Sequence, residues 1–273
     1  MFKKIVLSSF VTTFFLVTPS YAATNWLHNY TTLKDSQLSW ATHFYRNSSN
    51  YGVGTKNIRG GMTQGGTITE KYYVFSNYHL DTPISEVYIA NRSNGKIIKK
   101  FTGYWGHINT INYKWGTGQV YIKSRGTCID IEKLKNLGDN YSNCKTKSAP
   151  DWDPMNGGKD KSILTQGEAK FRDHVFFIAT KKSEYDNYIG VYEHKSHKFV
   201  KAFRIPNSFA NGEAEDISID GDTGDVYINY YVFHGAGLIS YVKVDHSAFG
   251  DMTKPVGNTG SKKRPKEERR EQR

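Results

Sequence analysis

Residues 106–122 read GHINTINYKWGTGQVYI, and residues 212–228 read GEAEDISIDGDTGDVYI. At an offset of 106 residues, seven of the 17 positions are identical in the two stretches. The identical pairs are Gly106/Gly212, Ile111/Ile217, Thr117/Thr223, Gly118/Gly224, Val120/Val226, Tyr121/Tyr227 and Ile122/Ile228. In the second copy, apolar residues alternate with polar ones before the Thr-Gly pair, and both copies continue with Val-Tyr-Ile. Each copy therefore predicts a strand, a tight turn and a second strand.

The repetition extends upstream of these stretches. Residues 62–66 (MTQGG) match residues 164–168 (LTQGE), and residues 96–101 (KIIKKF) match residues 198–203 (KFVKAF), both at an offset of 102. A unit of about 75 residues is thus duplicated, since self-similarity at a nearly fixed period is the signature of repeat architectures. We place the two repeat units at residues 61–135 and 161–247.

The composition predicts an all-β fold. Aromatic residues make up 14% of the chain, and Gly outnumbers Pro by 25 to 7, which favours strands and tight turns. The best helical candidate is short, at residues 130–137. Each unit offers enough short strands for two four-stranded sheets, and residues 23–60 with the C-terminal strand could supply a fifth sheet. We therefore expect a β-propeller of about five blades built from a duplicated two-blade unit, with two β-sandwich domains as the alternative.

The first 22 residues predict a signal peptide, and the mature chain is expected to start at Ala23. Lys3 and Lys4 precede a mostly apolar stretch at residues 5–17, and residues 20–22 (SYA) form a small-x-small cleavage site. An uncleaved anchor is the alternative, although this stretch is shorter than the ~20 residues that span a bilayer. No other stretch of the sequence is apolar enough to cross a membrane, so we expect a secreted, extracellular protein.

The positive charge is concentrated at the two ends of the sequence. The net charge is +11, of which the signal peptide contributes +2 and residues 254–273 contribute +5, so the domain at residues 23–253 is only mildly basic. The charged, apolar-poor residues 254–273 predict a disordered tail. A mild basic excess suits either a solvated surface or attraction to an anionic polymer of the cell envelope.

The repeated motifs resemble those of the large secreted bacteriocins of the helveticin J type. The residues that carry this resemblance are Thr63-Gln64-Gly65, Gly106-His107-Ile108-Asn109, Thr165-Gln166-Gly167 and residues 212–216. The motifs also look like those of related propellers in teichoic-acid-associated proteins and phage receptor-binding proteins. The resemblance implies an extracellular antibacterial or cell-wall-binding role, and the expected partner is a cell-wall polymer such as teichoic acid or peptidoglycan glycan. We expect no nucleic-acid partner. The first copy has His107 and Asn109 where the second has Glu213 and Glu215, so the two copies differ in chemistry at these positions.

Polar residues at the start of the inner strands are the candidates for a ligand site at the mouth of a propeller channel. They are Gln64, His107, Asn109, Gln166, Glu213, Glu215 and Asp216. The structural alternative is that these side chains tie adjacent blades together by bonding to loop backbone groups. Three acids within four residues are costly to hold together without a cation or a basic partner. We expect no cofactor and no dedicated metal site.

The sequence leaves three functions open. The first is a bacteriocin-like protein that binds the bacterial envelope. The second is a secreted hydrolase or lyase for a glycan that uses Glu213, Glu215 or Asp216 with His107, although no Gly-x-Ser-x-Gly or His-Glu-x-x-His motif occurs. The third is an adhesion or receptor-binding module without killing activity.

Two further features have structural interpretations. The acidic residues 220–225 (DGDTGD) lack the spacing of an EF-hand and predict a hairpin turn. Cys128 and Cys144 either form a disulfide, which is worth ~3 kcal/mol for a loop of about 17 residues, or stay free or pair with another chain.

Overall fold

The computed structural model describes residues 29–44, 61–79, 84–108, 110–116, 118–122, 127–130, 142–143, 163–181, 184–196, 198–209, 212–232 and 238–254. The predicted signal peptide, Asn109, Cys144 and residues 255–273 lie outside these residues, and so does the predicted disulfide. The helical candidate at residues 130–137 starts on the last residue of a strand, and the rest of it is also outside the described part.

The described residues form an all-β structure, as the composition predicts. The strands are β1 (Tyr30–Thr32), β2 (Leu38–Phe44), β3 (Gly61–Ile68), β4 (Tyr72–His79), β5 (Ser85–Asn91), β6 (Ile97–Gly103), β7 (Ile111–Tyr113), β8 (Gln119–Ile122), β9 (Thr127–Asp130), β10 (Ser142–Asn143), β11 (Ile163–Phe171), β12 (His174–Lys181), β13 (Asp186–Glu193), β14 (Phe199–Ile205), β15 (Gly212–Ile219), β16 (Val226–Val232) and β17 (Leu238–Val244). Three short 3-10 turns lie at Asp35–Gln37, His246–Ala248 and Gly250–Met252. In the part of the chain that the structure describes, no helix has the length and apolar character to cross a membrane.

Two sheets correspond to each copy of the repeat, and their strands pair in chain order; β10 of the second sheet lies just beyond the first unit. The first sheet contains β3–β6, the second β7–β10, the third β11–β14 and the fourth β15–β17. All pairings within these runs are antiparallel. Equivalent repeat residues therefore occupy equivalent strands, with Thr63 on β3 and Thr165 on β11.

The fifth sheet expected from residues 23–60 and the C-terminal strand does not form among the described residues. Instead, β17 pairs with β16 on one side and with β2 on the other, so the N-terminal strand completes the fourth sheet. β1 adds a fifth strand to the third sheet and runs parallel to β14, with Tyr30 opposite Ala202. The physical reason is that both sheets end on open edges whose backbone groups need partners.

Apolar side chains fill three spaces between neighbouring sheets. One cluster joins the third and fourth sheets, another joins the fourth and first, and a further cluster joins the first and second. Fully buried members of these clusters are Phe176 and Ile228, Phe75 and Tyr241, and Val74 and Val120, respectively. The middle strands read as continuous buried runs because both of their faces are covered.

The first strands of the four sheets meet around one region. β15 contacts β3 and β11, and β7 contacts the same two strands. This arrangement is propeller-like, with the first strand of each sheet innermost.

Three of the first strands carry a bulge. Strand pairing shifts after Thr63 on β3, after Thr165 on β11 and after Ala214 on β15. The residues between the shifted pairs are Gln64 and Gly65, Gln166 and Gly167, and Glu215. Because a bulge re-aims side chains and backbone groups, these positions shape the region where the sheets meet.

Candidate functional site

The carboxylate of Asp216 lies where the four first strands meet. Its Oδ2 accepts hydrogen bonds from the N–H groups of Gly66 on β3 (2.8 Å) and Ile111 on β7 (2.9 Å). Its Oδ1 accepts a hydrogen bond from the N–H of Ile217 (2.9 Å). A Cβ atom at Gly167 on β11 would lie 1.6 Å from the same Oδ1, so only glycine lets the third sheet approach this closely. One buried side chain on β15 therefore contacts each of the other three sheets.

Opposing effects act on the ionisation of Asp216. Complete burial raises the pKa of its carboxyl group well above the ordinary aspartate value, and the negative charge of Glu168 acts in the same direction. The three backbone N–H donors lower the pKa because they stabilise the ionised form. Since both oxygens already accept hydrogen bonds from the backbone, Asp216 acts as a structural tie between sheets.

The bulge of β3 also bonds to neighbouring segments. The carbonyl of Gln64 accepts a hydrogen bond from Nδ2 of Asn229 on β16 (2.9 Å). The N–H of Gly65 donates to the carbonyl of Ile108 (2.6 Å), and the carbonyl of Gly65 accepts from Oγ of Ser76 (3.1 Å). The backbone at Gln64 thus joins the first sheet to the fourth sheet and to the segment before β7.

Gln166 and Glu213 form a partly exposed bridge between β11 and β15. Nε2 of Gln166 donates a hydrogen bond to Oε1 of Glu213 at 2.8 Å. Both residues are half-buried, in contrast to the fully buried Asp216 three residues beyond Glu213. This pair is therefore more open to solvent than the carboxylate at the centre.

Glu215 is buried like Asp216, but within the described chain its carboxylate lacks the hydrogen bonds that Asp216 accepts. Its exposed fraction is 1%, and neither oxygen of its carboxylate has a hydrogen-bond partner among the described residues. Burial raises the pKa of Glu215 well above the ordinary glutamate value, and the negative charges of Glu213 and Asp216 raise it further. The bulge therefore holds a carboxyl group that the described part of the protein does not neutralise.

The structure brings together some of the predicted ligand residues. Those that share the contacting strands β11 and β15 are Gln166, Glu213, Glu215 and Asp216. Gln64 lies on β3, which also contacts β15, and Asn109 is outside the described residues. His107 is exposed, and its ring packs edge-on against Tyr78 with the centroids 5.3 Å apart.

The sequence interpretation missed a cluster of an acid, a tyrosine and a base that occurs once in each repeat. In the first sheet, Nζ of Lys100 lies 2.8 Å from Oε1 of Glu86, and the hydroxyl of Tyr88 donates to the same carboxylate. The third sheet has the same arrangement, built from Asp186, Tyr188 and Arg204, with Arg204 Nη2 2.7 Å from Asp186 Oδ1. The available signal was the acid-x-Tyr pattern shared by residues 86–88 and 186–188. These clusters fasten β6 to β5 and β14 to β13.

Equivalent lysines lie on β6 of the first sheet and β14 of the third sheet. β6 is an edge strand, whereas β14 lies between β13 and β1. Nζ of Lys99 lies 5.8 Å from the ring centroid of Phe101, and Nζ of Lys201 lies 5.1 Å from that of Phe203. The preceding residues, Ile98 and Val200, are 40% and 46% exposed. In the described part of the chain, neither lysine has a carboxylate within salt-bridge distance. Each copy of the repeat therefore presents a cation next to exposed apolar surface.

The acidic turn at residues 220–225 connects β15 to β16, as the sequence predicts, and its carboxylates are engaged in structural contacts. Asp220 forms an ion pair with Arg92 of the first sheet at 2.9 Å and accepts hydrogen bonds from turn N–H groups. Asp225 pairs with Nζ of Lys243 at 2.7 Å and accepts from the N–H of His246 at 3.0 Å. Asp225, Asp245 and His246 have ligand atoms close enough for a shared ion, but the nearby lysine already supplies a positive charge.

Comparison with known proteins gives no family assignment, because no family model and no curated protein matches the chain. Among solved structures, the tail fiber of Staphylococcus aureus phage P68 matches with a TM-score of 0.46 and 12% identity over 76% of this chain and 52% of that one. A luciferin-regenerating enzyme matches with a TM-score of 0.30 and 9% identity, covering 69% of this chain and 62% of that one. The Dos1 propeller matches with a TM-score of 0.24 and 15% identity, covering 66% and 41%. The chain spans about half the length of the tail fiber.

Proposed function

We propose that this chain is a secreted protein that binds an anionic polymer of the bacterial envelope, such as teichoic acid. The observation that carries this proposal is the repeated pair Lys99 and Lys201, each held over a phenylalanine ring beside exposed apolar surface. Lys96 and Lys198 are equivalent, exposed positions three residues earlier. A polymer with evenly spaced negative charges suits such repeated cations, and the apolar surface suits its carbon backbone.

We infer that the four sheets of the described residues are blades of a β-propeller, which supports this proposal. Four sheets, contacts between their first strands, and completion of the fourth sheet by β2 all favour a propeller over two β-sandwich domains. The blades come from two copies of a two-blade unit, so β6 and β14 are equivalent strands of the first and third blades, with β1 added beside β14. Two equivalent surfaces on one molecule increase the strength of binding to a repetitive polymer through effective concentration.

The burial and hydrogen bonding of the three acids on β15 favour binding of a polymer over hydrolysis of a glycan. A glycosidase needs two carboxyl groups that reach the scissile bond. Both oxygens of Asp216 are used by backbone donors, and Glu215 is 1% exposed, which leaves Glu213 as the one half-buried acid of the three. The geometry therefore supports a binding module, the role that antibacterial and adhesion proteins share.

We further propose that the protein is antibacterial, and the resemblance to helveticin-type bacteriocins supports this. Killing would follow from attachment to the envelope of a related strain. A viability assay on strains whose walls retain the protein separates a bacteriocin from an adhesion module: loss of viable cells identifies the first, and binding without killing identifies the second.

The test of binding is retention of the protein on purified cell walls, with and without teichoic acid, at low and high salt. The test variant replaces Lys96, Lys99, Lys198 and Lys201 by Gln. Its matched control replaces Lys262, Lys263, Arg264 and Lys266 by Gln, which removes the same charge from the C-terminal residues. At ~1 kcal/mol per lysine near an anionic surface, the test variant should bind up to ~1,000-fold more weakly at low salt.

The control variant should bind like the parent protein, and high salt should weaken binding by the parent because the interaction is between exposed charges. Equal binding by parent and test variant would refute the role of these four lysines. Binding that is independent of teichoic acid would refute the proposed ligand.

A further inference from the structure

Buried polar atoms without partners lie at the bulge of β15 and on the strand opposite it. Five such side-chain atoms occur among the described residues, and four of them belong to Glu215, Asn229 and Tyr230. Glu215 is the bulge residue, while Asn229 and Tyr230 lie opposite the two residues that flank it. Native structures leave few buried polar groups unpaired, and each calls for an explanation. Asn229 and Tyr230 are consecutive on β16, so their side chains point to opposite faces of the sheet and do not share one site. The two oxygens of Glu215 belong to a single charged group, and a ligand at the bulge would supply their missing partners.

The charges at this bulge define the kind of ligand. Both oxygens of Glu215 are buried without a partner, and Glu213 and Asp216 add negative charge on the same strand. Asp216 accepts hydrogen bonds from three N–H groups, and Glu213 accepts a hydrogen bond from Gln166. An unpaired carboxylate beside other carboxylates in a poorly solvated site requires either a proton or a cation.

We propose that the bulge of β15 binds a hard divalent cation, with the carboxylate of Glu215 as the principal ligand and Glu213 as the second carboxylate. Carboxylate oxygens without sulfur or imidazole ligands are suited to Ca²⁺ or Mg²⁺, and the flexible coordination of Ca²⁺ tolerates irregular geometry better. The half-buried Glu213 provides the side open to solvent, from which an ion would enter. This site is independent of the proposed attachment to the envelope.

The other bulges explain why the site belongs to one strand. The corresponding residues on β3 and β11 are Gln64 and Gln166, whose side chains are neutral amides. A carboxylate in each bulge would add negative charge where the sheets meet, whereas neutral amides at positions 64 and 166 leave the acids of β15 as the charged groups of the bulges.

The test is a titration of the full chain with CaCl2 after removal of metal ions by EDTA and dialysis. Calorimetry measures stoichiometry and affinity, and thermal unfolding measures the stabilisation. The test variant is Glu215→Gln, which keeps the side chain's size and removes its charge. Asp245→Asn is the matched control because Asp245 belongs to the other acidic group of the described chain, with Asp225 and His246.

We expect one Ca²⁺ per chain and an increase in Tm of about 5–10 °C at a hundredfold excess over Kd. Glu215→Gln should abolish both the heat of binding and the increase in Tm, while its Tm in EDTA should equal or exceed that of the parent chain. Glu213→Gln, at a partly exposed position, should weaken binding ~10-fold and serves as the second test if the first variant does not fold. No effect of Ca²⁺ on the parent, an unchanged response in Glu215→Gln, or a response lost in Asp245→Asn alone would overturn the proposal.

Discussion

Replacing Asp216 by Asn tests whether one carboxylate holds the four sheets together. Oδ2 accepts from Gly66 and Ile111, and Oδ1 accepts from Ile217. The single oxygen of Asn can serve the first two N–H groups, and its NH2 group then faces the N–H of Ile217. One buried donor loses its acceptor, which costs about 1–3 kcal/mol. We therefore expect Asp216→Asn to fold with a reduced free energy of unfolding.

Asp216→Ala is a more severe change because it removes the acceptors of all three N–H groups. At the same cost per group the loss is about 3–9 kcal/mol, comparable with the whole folding free energy of about 5–15 kcal/mol. We expect this variant to be largely unfolded or insoluble, so the quantitative test depends on the Asn variant.

Thermal and urea unfolding of the parent, Asp216→Asn and Asp251→Asn provide the measurement. The side chain of Asp251 is 97% exposed, so its replacement removes the same charge without leaving a buried donor unpaired. The Asn variant at position 216 should lower Tm by about 2–12 °C, and the control should change the free energy of unfolding by no more than about 0.5 kcal/mol. Equal stability of the two Asn variants would refute the assignment of Asp216 as the central tie.

Three further predictions concern the same framework. Gly167→Ala places a Cβ 1.6 Å from the central carboxylate, whereas Gly65→Ala makes contacts of 3.0 Å, so urea unfolding should show the larger loss for Gly167→Ala, about 3 kcal/mol or more. Arg92→Leu removes the ion pair with Asp220 and the hydrogen bond to Tyr227, which join the first and fourth sheets, and should cost about 2–4 kcal/mol. A loss below about 0.5 kcal/mol in thermal unfolding would contradict this. Burial alone would raise the pKa of Asp186 and Asp225, but their hydrogen bonds and basic partners outweigh burial and lower both pKa values. The ionised carboxylates therefore contribute to the free energy of unfolding fully above the unfolded pKa of about 4, and this contribution is lost as pH falls through the lower folded pKa values. Asp186→Asn should accordingly reduce the loss of stability at acidic pH in a profile of unfolding free energy against pH.

The sequence repeat predicts strands and turns well because the repeated residues have local structural roles. Val120 and Val226 are fully buried at equivalent positions on β8 and β16. Gly118 and Gly224 precede these strands with φ angles of 69° and 77°, in the left-handed region that glycine adopts without strain. Buried alternation and an obligatory turn glycine are both visible in the chain itself.

The pairing of β2 with β17 and the hydrogen bonding of each acid on β15 could not be predicted from local sequence. β2 pairs with β17 across about 200 residues of sequence, and alternation within residues 38–44 does not specify that partner. The three acids of β15 look alike in sequence, but one extra residue at the bulge changes where their side chains point. Asp216 thereby meets three N–H donors, whereas Glu215 has none among the described residues. These outcomes depend on contacts between sheets.

The difference between the two repeat copies follows from the geometry of the centre. Thr110 in the first copy is equivalent to Asp216 in the second, and it is buried next to Ile111, whose N–H already donates to Asp216. An aspartate at position 110 would add a second buried carboxylate beside the first, and like charges in such a site oppose each other's ionisation. One carboxylate already reaches all four first strands, so a second would add repulsion without reaching another sheet. The duplicated unit can therefore repeat its strands and turns exactly where packing is local, but its two copies must differ where all four sheets share a single point.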